Sequence, residues 1–144
     1  MGKAKISGTS PHYIDGHFIQ GAGHPLVSAN PADNTEIYRG QHATKTEVKA
    51  AFETAKHTQS SYGALSFETR AKHLIQFAEY IEKHHLALTQ TISLETGKPL
   101  WEAATETQAV IQKIQMSINA HQARATDKLI PGVHYKPHGV VAVL

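Results

Sequence analysis

The sequence Pro137-His138-Gly139-Val140-Val141-Ala142-Val143-Leu144 closes the chain and indicates its fold class. Pro-His-Gly is typical of a turn, and the five residues after it are apolar without polar alternation. Such a run is typical of a strand buried on both faces, as in parallel α/β sheets. No residue follows that could cover such a strand. We therefore expect an α/β fold, and we expect this chain to be the front part of a larger protein.

Short extended segments are predicted at both ends of the chain. Before the closing run, Lys128–Gly132 reads as a loop and Val133–Lys136 as a short strand. Near the start, Tyr13–Ile19 has Asp-Gly between two aromatic and β-branched runs, which is a strong hairpin signal. Two further extended pieces, 25–27 and 36–38, flank a turn-rich stretch. Residues 1–11 carry almost no apolar side chain and are predicted to be a mobile terminus.

The middle of the sequence predicts three to four helices. Thr44 with Glu47 three residues later is a capping-box pattern, and this first helix should break by Gly63. Ser66 is expected to cap a second helix, with a junction at His84-His85. Gly97 is predicted to end the next helical segment, and Pro99 to begin a helix from Leu100 to about Ala123.

Helical spacing also predicts which side chains are buried. Trp101, the only tryptophan, is expected to be a packing anchor. The buried stripes are predicted to be Ala71, Leu74, Ile75, Ala78 and Ile81 on the second helix, and Val110, Ile111, Ile114 and Ile118 on the last.

Composition excludes several classes of function. The 144 residues contain no cysteine, so they form no disulfide, no thiolate zinc site and no thiol nucleophile. A net charge of +2, with the charges scattered, does not provide the basic face that nucleic acids require. No apolar run approaches the roughly 20 residues of a membrane span, and no export signal is present. These features favour a cytoplasmic protein that binds neither nucleic acid nor membrane.

No residue is a convincing catalytic group by itself. The 11 histidines include close pairs, but none has a cysteine or carboxylate at ligand spacing, so we predict no metal site. Glu102 and Glu106 share a helix face and are expected to be solvated, or matched by Lys98 and Lys113. Glycines are dispersed, without a phosphate-binding Gly-x-Gly-x-x-Gly or Walker pattern.

Five motifs in order resemble the aldehyde dehydrogenase superfamily. Glu95-Thr96-Gly97-Lys98-Pro99 is similar to its E-x-G-K-P stretch, which follows an amphipathic helix. The hairpin 13–19 resembles F-I-N-G-x-W, although His17-Phe18 departs from it. The remaining matches are Asn30-Pro31 with N-P-x-T-G, 65–70 with L-S-x-x-x-R, and 137–143 with P-x-G-V-V-x-V-I. Residues 95–106, with 113–114 and 117–118, resemble more narrowly the members that oxidise N-succinyl-L-glutamate 5-semialdehyde to N-succinyl-L-glutamate in arginine catabolism.

This resemblance implies a subunit with an NAD-binding domain, a catalytic domain and a β-extension for homo-oligomerisation. Residues 12–144 would be the incomplete N-terminal part of the NAD-binding domain, and 133–137 the start of the extension. The family's cysteine attacks the aldehyde, hydride passes to NAD, and a glutamate-activated water releases the acid. Those groups, and a loop that lies along NAD, would follow Leu144, so the chain alone is expected to be inactive and to dock on the remainder of its subunit.

The resemblance implies a functional role for three positions of this sequence only. Leu144 matches the last strand position before the loop along NAD, and Val110 and Ile114 match a helix that borders the substrate tunnel. No catalytic residue and no metal ligand is assigned. Two alternatives stay open: another NAD(P)-dependent aldehyde dehydrogenase, and a stand-alone helical protein-interaction module that adds Val140–Leu144 to a partner's sheet.

Overall fold

The computed structural model describes residues 12–125 and 130–143. Residues 1–11, part of the loop Lys128–Gly132, and Leu144 therefore lie outside the described residues. The described elements, in chain order, are β1 (His12–Ile14), β2 (His17–Ile19), β3 (Pro25–Ala29), β4 (Glu36–Gln41), α1 (Lys45–Gly63), α2 (Phe67–Lys83), α3 (His85–Thr96) and α4 (Leu100–Arg124).

The chain divides into two compact units. The first comprises the described residues up to Ser60, together with 94–97 and 140–143. It contains the four strands and most of α1. The second comprises 61–93 and the described residues of 98–139, and it contains α2, most of α3 and all of α4.

The hairpin β1–β2 forms as its Asp-Gly pair predicts. Ile14 pairs with His17, so the turn contains only Asp15 and Gly16. Both turn residues have positive φ, 52° and 77°, which is the twist that a two-residue hairpin turn requires. Tyr13 and Phe18 face each other across the strands with ring centroids 5.0 Å apart.

A second antiparallel pair, β3–β4, confirms the other two extended pieces. Pro25 pairs with Gln41, and the register shifts between Ser28 and Ala29. The connecting turn is closed by side chains, since Asn30 Oδ1 accepts from Ala32 N at 3.0 Å. Short polar side chains that bind the local backbone are what make this stretch a turn.

The capping box at the start of α1 is confirmed. Glu47 Oε2 accepts hydrogen bonds from the backbone N of Thr44 at 2.6 Å and from its Oγ1 at 2.8 Å. The same oxygen accepts from Ala22 N at 3.4 Å. These hydrogen bonds, those from Thr44 first, lower the pKa of Glu47 below its ordinary value. Glu47 thus ties the turn after β2 to the first turn of α1.

We expect the Glu47 contacts to make the first unit acid-sensitive. Because the pKa of Glu47 is depressed in the folded chain, its stabilisation is present above the unfolded pKa of about 4.3 and is lost as pH falls through the folded pKa. Melting temperatures should be measured at about pH 7 and about pH 3. Between these two pH values, the melting temperature of Glu47→Gln should fall by less than that of the parent chain. Glu53→Gln, at an exposed site on the same helix, should lose as much as the parent, and an equal loss in all three would contradict this role.

The second unit is built on the packing of α2 against α4. Ser66 caps α2 as predicted, its Oγ accepting from Thr69 N at 3.1 Å. The junction predicted at His84-His85 falls at His84, whose Nδ1 donates to Tyr80 O at 2.8 Å. The buried side chains are Ala71, Ile81, Thr89, Ala103, Thr107 and Ile118.

The predicted buried stripes are only partly correct. Ala71, Ile81 and Ile118 are buried, but Leu74, Ile75 and Val110 are 40%, 42% and 47% exposed. On α4 the buried stripe runs through Ala103, Thr107 and Ile118, and Val110 and Ile111 fall at its two edges, which no described helix covers completely.

The prediction that Trp101 is a packing anchor is wrong for the described structure. Its side chain is 72% exposed. Two residues along an α-helix correspond to about 200° around the axis, so Trp101 points away from the face on which Ala103 is buried.

The two strands predicted near the end of the chain are not formed. Neither 133–136 nor 140–143 has strand structure, and Val141 and Val143 are 75% and 91% exposed. A strand requires a neighbour to supply ladder hydrogen bonds, and the four described strands pair only within their own hairpins. The turn between them and α4 does form, with Val133 N donating to Ile130 O at 3.1 Å.

No helix in the described part of the chain combines the length and apolar character that crossing a membrane requires.

Candidate functional site

The turn after α3 carries the Glu95-Thr96-Gly97-Lys98-Pro99 motif and is held by residues distant in sequence. Gly97 has φ +74°, the left-handed conformation predicted for it. A Cβ at Gly97 would lie 3.0 Å from Pro31 Cγ, so the backbone approaches the β3–β4 turn closely. Beside it, Glu95 Oε1 accepts from Ser28 Oγ at 2.6 Å. Glu95 and Gly97 therefore contact the β3–β4 hairpin within the first unit.

The lysine of the motif neutralises both carboxylates of α4's first turns. Lys98 Nζ hydrogen-bonds Glu106 and lies 3.7 Å from Glu102 Oε1. The hydrogen bond to Glu106 raises the pKa of the Lys98 ammonium, although partial burial opposes the shift. Pairing with Lys98 confirms the expectation that these glutamates are matched charges, and the arrangement does not provide the desolvated carboxyl of a general acid.

A buried pair of threonines joins α3 to α4. Thr89 and Thr107 are 4% and 2% exposed, and their Oγ1 atoms lie 3.1 Å apart. Thr107 Oγ1 also donates to Ala103 O at 3.3 Å. Thr89 Oγ1 has no other hydrogen bond to a described residue. This pair fixes α3 against α4, the helix that the family resemblance associates with the substrate tunnel.

Removing the hydroxyl group of Thr107 should destabilise the chain more than removing that of Thr89, and a double-mutant cycle measures how strongly the two interact. Thr107→Val leaves the buried Thr89 hydroxyl without a partner, so we expect a loss of about 2 kcal/mol in unfolding free energy. Thr89→Val leaves Thr107 bonded to Ala103 O and should cost about 1 kcal/mol. The double variant should cost less than the sum of the singles, as measured by urea unfolding. Strict additivity would show that the pair does not interact.

The two α4 residues that the family resemblance assigns to the substrate tunnel lie in different environments. Ile114 is half-buried and lines a groove of about 450 Å³ between α2 and α4. Val110, one turn earlier, is 47% exposed and does not line this groove. The groove is lined by Ile75, Ala78, Glu79, Glu82, Lys83, Ile111, Ile114 and Gln115. Leu144, assigned to cofactor binding, lies outside the described residues.

Two histidines take structural positions. His84 caps α2, and the ring of His121 stacks on Phe67 with centroids 4.4 Å apart. Within residues 12–125 and 130–143, no group of three or more His, Asp or Glu side chains could hold a metal ion.

The sequence lacks a Gly-x-Gly-x-x-Gly turn, and Pro99, the N-cap of α4, has no N–H to donate to a phosphate.

The sequence did not point to Ser28, Thr89 or Thr107, and it did not predict the contact of Pro31 with Gly97. Asn30-Pro31 is visible as a turn, but nothing local shows that it contacts Gly97, because the contact joins residues more than sixty positions apart.

The chain belongs to the aldehyde dehydrogenase family, whose family model matches residues 18–144. This confirms the resemblance carried by the five motifs.

Among relatives, the chain is 42% identical over 150 residues to the N-succinylglutamate 5-semialdehyde dehydrogenase of Legionella pneumophila strain Paris. It is 41% identical to the enzyme of the same name from strain Corby. Each match covers 100% of this chain and 30% of the relative. The chain thus spans about 30% of the length of the curated relatives it matches.

Solved structures show the same fold. An NAD-dependent benzaldehyde dehydrogenase from Corynebacterium glutamicum matches 87% of this chain and 28% of its own, with a TM-score of 0.75 and 23% identity. A betaine aldehyde dehydrogenase from Staphylococcus aureus, solved in complex with NAD+, matches 85% of this chain and 25% of its own, with a TM-score of 0.74 and 24% identity. The chain therefore has the fold of the N-terminal region of this family.

Proposed function

We propose that this chain is the N-terminal scaffold of an NAD-dependent dehydrogenase that oxidises N-succinyl-L-glutamate 5-semialdehyde to N-succinyl-L-glutamate. The observation that carries the proposal is the 42% identity, over the whole chain, to an enzyme named for that substrate. The solved neighbours named for benzaldehyde and betaine aldehyde are only 23% and 24% identical, so they support the fold and not a substrate.

The described contacts support a positioning role for this chain. Ser28 and Pro31 hold the turn before α4, and Thr89 holds α3 against α4. In the proposal, the α4 side chains Val110 and Ile114 border the mouth of the substrate tunnel, and Leu144 is the position nearest NAD. NAD, when bound, supplies the hydride acceptor. Because the sequence contains no cysteine, a cysteine nucleophile has to come from outside these 144 residues.

The proposal extends to assembly and location. Residues 12–144 form part of the NAD-binding domain, and 133–137 become a strand of a β-extension when a neighbouring subunit of a homo-oligomer supplies ladder hydrogen bonds. The exposed Val133 and the lack of strand structure there are consistent with an absent neighbour. The proposed location is the cytoplasm, and the absence of cysteine from these 144 residues supports it.

A chimera tests the proposal. The matching N-terminal segment of the Legionella pneumophila enzyme is replaced by this chain, and NADH formation is measured with N-succinylglutamate semialdehyde, betaine aldehyde and benzaldehyde. We expect an oligomeric chimera that prefers the succinylated semialdehyde, and no activity from the Legionella enzyme without its N-terminal segment. Preference for another aldehyde would favour a different dehydrogenase of the family. A folded but inactive chimera would favour the stand-alone interaction module.

The same chimera tests the tunnel assignment. Ile114→Phe, which adds bulk to a half-buried position, should raise the KM for the semialdehyde about tenfold with little change in melting temperature. Met116→Phe, at a position 61% exposed on the same helix, is the matched control and should leave KM unchanged. If both variants have the parental KM, Ile114 does not border the tunnel.

A further inference from the structure

We propose that the Asp15–Gly16 peptide is a modification site at which Asp15 converts spontaneously to an isoaspartyl residue. This inference is independent of the proposed enzymatic function. It rests on the exposed turn of the β1–β2 hairpin, which no functional assignment above uses.

The atoms that must react are accessible. Asp15 and Gly16 are both exposed, and a Cβ placed on Gly16 would meet no atom within 4 Å. The Asp15 carboxylate has no hydrogen bond or ion pair with any residue in the described part of the chain. The Gly16 nitrogen is therefore open to the side chain that precedes it, because glycine places no Cβ beside it.

Asp33 provides the contrast within the same molecule. Its Oδ1 accepts from Thr35 N at 3.0 Å and from Thr35 Oγ1 at 2.7 Å. The residue that follows is Asn34, whose side chain crowds the nitrogen that would have to attack. We therefore expect Asp33 to be protected.

The hairpin that holds Asp15 is weak enough to open. Each strand has three residues, and two-stranded hairpins are only marginally stable in water. Asp15 also has φ +52°, a left-handed conformation that costs an L-residue such as aspartate stability. Opening of the turn lets the side chain of Asp15 reach the geometry for ring closure.

The chemistry needs no other reactant than water. The Gly16 nitrogen attacks Cγ of the protonated Asp15 carboxyl group, the N–Cγ bond forms, and the hydroxyl group leaves with the amide proton as water. The product is a five-membered succinimide. Water then adds to the Asp15 main-chain carbonyl carbon, and its bond to the Gly16 nitrogen breaks. The chain now runs through Cβ and Cγ, with a free α-carboxylate and an unchanged mass.

Isomerisation should disrupt the hairpin. One extra methylene enters a turn of two residues, so the pairing of Ile14 with His17 cannot be kept. The contact between Tyr13 and Phe18, with centroids 5.0 Å apart, should be lost with it.

The test is incubation of the full chain at neutral pH and body temperature for several weeks. Isoaspartate is located by peptide mass spectrometry with fragmentation that cleaves N–Cα bonds, and independently by enzymatic methylation of isoaspartyl carboxylates with S-adenosylmethionine. We expect isoaspartate at Asp15 severalfold above that at Asp33. Asp15→Gly keeps the positive φ and should abolish methylation at this site, whereas Asp15→Asn should react faster and gain the mass of deamidation. Equal modification of Asp15 and Asp33, or none at Asp15, would overturn the proposal.

Discussion

Gly97→Ala is expected to lower the free energy of unfolding by about 3 kcal/mol, because two costs combine at this position. An L-side chain is disfavoured at φ +74°, and the added Cβ would stand 3.0 Å from Pro31 Cγ. Neither cost is relieved easily, since proline is rigid and the turn is closed by Gly97. Urea unfolding followed by circular dichroism measures the loss.

Gly132→Ala is the matched control for this substitution. Gly132 has a similar φ of +79°, but a Cβ there meets no atom within 4 Å. Gly132→Ala should lower the free energy of unfolding only by the cost of the left-handed backbone conformation, about 1 kcal/mol. If Gly97→Ala and Gly132→Ala cost the same, the contact between Gly97 and Pro31 does not constrain the turn.

Ile118→Ala is expected to have the other large effect, a loss of about 3 kcal/mol. Ile118 is 6% exposed on α4, in a unit that has few fully buried side chains. Removing three carbon atoms there takes away apolar contact and leaves a cavity that the neighbouring helices cannot close completely.

Met116→Ala tests whether burial causes that loss. Met116 lies two residues away on the same helix and is 61% exposed. Its truncation should change the unfolding free energy by no more than about 0.5 kcal/mol. Comparable losses for the two variants would mean that α4 is not packed through Ile118.

The sequence predicted those features that depend on neighbouring residues. The capping box of Thr44 and Glu47, the Ser66 cap, the Asp15-Gly16 turn and the left-handed Gly97 all depend on interactions within a few residues. Such local interactions are strong and repeat in many folds, so their patterns are readable.

Features that depend on distant residues were not predictable in the same way. The hydrogen bond from Ser28 to Glu95 and the pair Thr89–Thr107 require knowledge of which elements pack together. The exposure of Trp101 and Val110 depends on how much of α4 its neighbours cover. Likewise, the run Val140–Val143 has strong strand propensity, but propensity alone does not form a strand without an adjacent one.

In the candidate site, too, the local features were predictable from the sequence and the contacts with distant residues were not. Gly97 and Pro99 predicted the turn before α4, and charges at helical spacing predicted the pairing of Lys98 with Glu106; the structure confirms both. The sequence did not predict that Ser28 and Pro31 contact Glu95 and Gly97 and so position that turn. The assignment of Val110 and Ile114 to the border of the substrate tunnel stays a prediction from the family resemblance.

The central claim is that these 144 residues position a substrate-binding fold and contain no reacting group of their own. The most direct test is an assay of the purified chain alone with NAD and N-succinylglutamate semialdehyde, monitored by NADH absorbance beside the Legionella chimera. We predict no NADH above the enzyme-free rate for the chain and sustained NADH formation for the chimera. Repeated turnover by the chain alone would contradict the claim.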